Sequence, residues 1–148
     1  MITAPIRRMD DRMDAVAASL TAALTTRHVK RSWLKNYDEH TPQELADGVV
    51  MLISAGEGQY KDGPGMTALE GQHRMILVCH LKVSETSQPQ DVEAAELDLI
   101  EEIKAWARVG VAGVGLSVVR VEHSRQLEHP YGWAVVYLDA GPPDSNLS

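Results

Sequence analysis

The run His73-Arg74-Met75-Ile76-Leu77-Val78-Cys79-His80-Leu81-Lys82-Val83 decides the fold. Met75, Leu77, Cys79, Leu81 and Val83 alternate with Arg74, Ile76, Val78, His80 and Lys82, the period of two that belongs to a strand. One face of this strand is wholly apolar and the other is mixed. Cys79 falls on the apolar face, where it reads as a small buried hydrophobe rather than a nucleophile. His80 follows it directly, so the two side chains point to opposite faces and cannot act as a pair. As the only cysteine in the chain, Cys79 forms no internal disulfide, and the sequence carries no mark of an oxidising compartment.

Upstream, Val49-Val50-Met51-Leu52-Ile53 is a continuous apolar run, the pattern of a strand covered on both faces. A short helix precedes it. Thr41 caps, Pro42 takes the first helical position, Glu44 bonds back to the cap, and Gly48 stops the helix. Further upstream, Ile6, Met9, Met13, Val16, Leu20 and Leu24 recur in steps of three and four, which predicts an amphipathic helix from about Pro5 to Leu24. Arg7, Arg8, Asp11 and Arg12 take its wet side in this reading. Arg27 to Trp33 then reads as a short polar strand near a sheet edge.

Downstream, Pro89 opens a second long helix that runs to about Arg108. Val92, Leu99, Ile103 and Trp106, with Ala95 and Ile100 beside them, form its buried stripe. Glu93, Glu96, Asp98, Glu101 and Glu102 decorate the outside, early in the helix where the dipole favours anions. After the glycine-rich turn 110–115 come two strands, about Leu116–His123 and Gly132–Leu138, joined by a hairpin connection over Ser124–Tyr131. The expected fold is α+β: a mostly antiparallel sheet of four to five strands, two long helices packed on one face, and a short helix. Residues 1–140 form one domain in this reading and 141–148 a flexible tail.

Composition bounds the function. The 148 residues are 44% hydrophobic and 24% charged, a globular mixture, with a net charge of −7. A chain this acidic is repelled by phosphate backbones, so no sequence-specific nucleic acid is expected. Local basic patches remain at Arg7, Arg8 and Arg12 and at Arg27, Lys30, Arg31 and Lys35. No stretch reaches the roughly 20 apolar residues of a membrane span, and Met1 to Asp14 lacks a signal-peptide core. These features suit a cytoplasmic protein without membrane contact.

No pattern of catalysis stands out. The six histidines show no HExxH spacing, so no metal is expected. Ser54, Ser84, Ser117 and Ser124 lack a nucleophile elbow. The glycines of the 55–72 loop end in no Gly-Lys-Ser/Thr, so neither a phosphate site nor a cofactor is expected. A loop this long is either an arm that meets a partner or a mobile connection between strands. Exposure places candidate interface residues at Arg31 and Trp33 on the edge strand and at Glu57, Tyr60 and Lys61 in the loop, since binding surfaces favour aromatic residues and arginine.

Several segments together resemble tail terminator (tail completion) proteins of long-tailed bacteriophages. They are Arg31-Ser32-Trp33, Leu45-Ala46-Asp47-Gly48-Val49-Val50, Gly56-Glu57-Gly58-Gln59-Tyr60, Ala94 to Ile103 and Gln126 to Trp133. These are packing and turn signals rather than chemical motifs. The resemblance implies a small α/β structural protein of the virion tail that is present in the host cytoplasm during assembly. It forms a ring, commonly a hexamer, that caps the last ring of tail-tube protein and offers a surface to a head-completion or connector protein, with no cofactor and no catalysis. Two other readings stand beside it: a head–tail adaptor or other assembly factor, and a small enzyme or ligand-binding domain with a pocket under the 55–72 loop.

Overall fold

The computed structural model describes residues 4–60 and 71–141. The chain is α+β. Helix α1 spans Met9–Ala23, strand β1 His28–Lys30, the 3-10 turn η1 Tyr37–Glu39, helix α2 Pro42–Asp47 and strand β2 Val49–Gly58. Strand β3 spans Gln72–Lys82, helix α3 Pro89–Val109, strand β4 Gly115–His123 and strand β5 Tyr131–Gly141. The five strands form one sheet in the order β1-β2-β3-β5-β4. Only β1 and β2 run parallel; every other neighbouring pair is antiparallel.

The alternation in β3 orders the whole molecule. Met75, Leu77, Cys79 and Leu81 are buried, and opposite them on β5 stand Leu138, Val136, Ala134 and Gly132. Val50 and Leu52 of β2 continue these rows on the other side. This face packs against Met13, Val16 and Leu20 of α1 and Leu99, Ile100, Ile103 and Trp106 of α3, which together make the core. Each such aliphatic side chain, fully buried, stabilises the fold by about 1.5–3 kcal/mol. The Trp106 indole N–H donates to Ser19 Oγ at 2.9 Å and ties the two long helices together.

Among the described residues, the opposite face is covered at one end only. Leu34 N–H points at Met51 Sδ, 3.2 Å away, and His40 Nε2 lies 3.1 Å from His80 Nδ1, so η1 and α2 shield the start of β2 and the end of β3. Tyr37 stacks on Tyr131 with ring centroids 4.7 Å apart and closes the same corner. Val49 and Met51 are therefore as buried as Val50 and Leu52, the two-sided cover that their continuous apolar run predicts. The cap of α2 is also as its residues dictate: Thr41 Oγ1 accepts from Glu44 N–H at 3.1 Å, and the Glu44 carboxylate accepts from Thr41 N–H at 2.9 Å. Gly48 ends the helix at φ +94°, where a Cβ would also stand 3.0 Å from Arg27 Nη1.

Five expectations change. Helix α1 begins at Met9, four residues after Pro5, with Arg8 as its extended N-cap. The polar strand shrinks to His28–Lys30, so Arg31 and Trp33 lie just beyond it rather than on it. Residues 55–58 belong to β2 and Gln72 to β3, so the connection is shorter than 55–72. The last strand begins at Tyr131 and extends to Gly141, which the sequence assigned to the tail; residues 142–148 lie outside the described residues. Arg12 and Glu96, read as solvated, are both fully buried.

Those two buried charges are each built into the packing. Glu96 on α3 accepts from Trp133 N–H at 2.9 Å, lies 3.2 Å from His123 Nδ1, and takes a very short bond from Ser124 Oγ. Gly132 leaves the room for it, since a Cβ there would stand 2.6 Å from Glu96 Oε2. Arg12 on α1 donates to the Ile6 carbonyl at 2.8 Å and makes a short ion pair with Glu57 at the far end of β2.

Candidate assembly surface

The five residues singled out from sequence fall into two separate places. Arg31 and Trp33 follow β1, which pairs with the first residues of β2. Glu57 and Tyr60 lie at the other end of β2, about 20 Å away along the strand at roughly 3.3 Å per residue. Lys61 lies outside the described residues. Arg31 is exposed and donates to Asp14 at 3.1 Å; Trp33 is 60% exposed. Tyr60 is 49% exposed and its hydroxyl donates to Glu57 at 3.0 Å.

Glu57 is not an exposed contact. Its side chain is buried between Arg12 and Tyr60. Burial pushes its carboxyl up, but Arg12, the Gly71 backbone and Tyr60 outweigh that and hold it below the usual carboxylate range. Beside it His73 is fully buried, with Nε2 2.8 Å from Ser54 Oγ. Burial, and then the Arg12 charge, push this imidazole down. Its Nδ1 has no hydrogen-bond partner. The Arg12–Glu57 pair fastens α1 to the far end of β2.

A second surface was not singled out from sequence. Beyond the corner that η1 and α2 cover, no described element packs on the outer face of the sheet. Register brings Ile53, Ile76, Tyr137 and Arg120 into one row across β2, β3, β5 and β4. A groove of about 430 Å³ opens here, lined by Ala55, Arg74, Ile76, Val119, Tyr137 and Asp139 among others. The Arg120 guanidinium lies 4.3 Å from the centre of the Tyr137 ring. Arg74 approaches Asp139 only to 3.9 Å. The pairing of β4 with β5 slips between Val118 and Arg120, and Val119 is left 58% exposed. Among the described residues, strand β4 has no neighbour on its outer side, which leaves an edge strand there.

The signals for these features were present. Arg12 lies three residues after Met9 and four before Val16, inside the apolar stripe of α1. Glu96 lies four after Val92 and three before Leu99, inside that of α3. A charge at such a position is buried with a partner or it distorts the helix's packing. The open face shows in sequence only as the mixed side of β3, which could equally have been covered.

Among the described residues no group of three or more histidine, cysteine or acidic side chains could hold a metal ion, and no helix is long and apolar enough to cross a membrane. No family model matches the chain, and no curated protein matches it.

Proposed function

We propose that this chain is a self-assembling structural protein of the tail-terminator kind, forming a closed ring that ends a tail tube and offers a surface to a head-completion or connector protein. The observation that carries this reading is the one-sided sheet. Its inner face is sealed by α1 and α3, while among the described residues its outer face keeps a half-buried apolar row and an open groove beside a free edge strand. Such a face is suited to another protein surface. A ring needs two unlike surfaces on every subunit, and the helical side of this one differs from its open sheet side. The resemblance of the sequence segments supplies the identity of the tube and the site of action, the virion tail.

Light scattering over a wide concentration range tests it. A closed species of fixed mass, about six chains, is expected; a monomer at every concentration overturns the self-assembly. Electron microscopy of the ring mixed with tail tubes then separates a terminator, seated on tube ends, from a head–tail adaptor, seated on the head vertex.

The groove supports a second reading, a ligand-binding domain. Arg74, Arg120, the Tyr137 hydroxyl and Asp139 place polar groups around an apolar floor. Calorimetric titration with small carboxylates and phosphates tests this, and saturable binding lost in Arg120→Ala is the outcome it requires.

A further inference from the structure

The self-assembly reading leaves open which surfaces meet. We infer that the outer face of α3 of one copy docks on the open sheet face of a second copy, head to tail. This rests on that reading and deepens it.

The receiving surface has an apolar floor and a positive rim. Ile76, Val119 and Tyr137 line the floor of the groove. Arg74 and Arg120 stand above it with side chains 66% and 62% exposed. Their acidic neighbours are more withdrawn: Asp139 is 24% exposed and Glu122 45%. Arg120 is paired with Glu122 at 2.9 Å, whereas Arg74 comes no closer than 3.9 Å to Asp139, so the arginine tips are the more outward charges of this face.

The inserting surface is its complement. On α3, Ala94, Leu97, Asp98, Glu101 and Ala105 are all exposed, and the spacings 94–97–101–105 and 94–98–101–105 are helical steps of three and four that keep them on one face. Leu97, 43% exposed, is the large apolar side chain of this stripe. Asp98 and Glu101 flank it toward the C-terminal end, Glu101 paired with Lys104 at 2.8 Å with its own side chain the more exposed of the two, and the alanines on either side allow a close approach. Leu97 in the groove, with Asp98 and Glu101 against the two arginines, satisfies both surfaces at once. It also completes a layer: the open face gains the helix that its inner face already has.

The two surfaces lie on opposite sides of one subunit, because α3 covers the inner face and the groove is on the outer one. The contact is therefore heterologous. Each copy uses both surfaces, and the series closes if the rotation between copies allows.

Charge swapping in the full chain tests this. Arg74→Glu/Arg120→Glu makes the groove acidic, and Asp98→Lys/Glu101→Lys makes the helix basic. All four residues are exposed, so circular dichroism should show wild-type folding. Each variant alone is expected to need at least tenfold more protein to assemble. An equimolar mixture regains wild-type assembly, because alternating subunits restore opposite charges at every contact. If the wild type assembles and either variant alone assembles as well as it does, or the mixture stays apart, this interface is wrong and the ring reading survives. If the wild type is monomeric at every concentration, both fall.

Discussion

Arg12 is the residue that ties α1 to the far end of β2. Its guanidinium has no contact with water, and it spends its donors on the Ile6 carbonyl and the Glu57 carboxylate, leaving Nη2 without a partner. Removing one member of a buried pair strands the other in a medium of low dielectric. Arg12→Met is therefore expected to cost about 3–5 kcal/mol. The double change Arg12→Met/Glu57→Leu should recover more than half of that, because it leaves no buried charge. Urea titrations of the three proteins measure both effects. Equal stability of the single variant and the wild type would show that the pair is hydrated in solution.

At the scale of elements, the unit made of η1 and α2 is held on β3 by uncharged histidines. Burial, and then the neighbouring His40, push His80 down to about 4. Burial, and then Lys30, push His40 down. Glu39 and Glu44 pull the other way without reversing either shift, and Lys30 is itself paired with Glu44 at 3.1 Å. A histidine whose folded pKa is depressed binds protons more readily once unfolded. Its contribution is thus complete above about pH 6.5 and is lost as pH falls toward 4. The melting temperature of the wild type should drop through this window. In His80→Asn it should start lower and fall less steeply. His73 titrates downward for the same reason of burial and shares the slope, so the difference between the two curves is the quantity that reports His80.

The same elements mark how far the sequence could be read. Alternation in β3, the stripe of α3 and the Thr41-Pro42-Glu44 cap are local patterns, and each produced the element its residues dictate. What was missed depends on partners remote in sequence. Arg12 is buried because Glu57 waits 45 residues away, and Glu96 because Ser124 and Trp133 converge on it. Glu57 seemed a loop contact because Ala55-Gly56-Glu57-Gly58 has the composition of a loop, yet pairing with β3 carries the strand through it. Trp33 and Tyr60 are exposed as expected, but the groove on the outer face arises from the register of four strands, which no local pattern encodes.

Across the whole molecule, stability should be graded from the middle of the sheet outward. Strands β3 and β5 share ten consecutive register pairs at the centre, whereas β1 contributes three pairs at one edge and β4 has a slip in its pairing at the other. Hydrogen exchange followed by mass spectrometry should find the slowest amides in 75–81 and 132–138, and fast exchange in 28–30 and 115–121. Slow exchange along β4 in concentrated samples, lost on dilution, would instead mean that its free edge is covered by another copy.

Cys79 gives this gradient a convenient clock. It sits in the slowest strand, inaccessible to water, and burial pushes its thiol up to about 12. A thiol-reactive dye can reach it only after the central strands part. Since the chain holds no second cysteine, the rate at which one dye is attached per molecule, at dye concentrations high enough that attachment outpaces reclosing, reads the frequency of that parting with no engineered label and no denaturant.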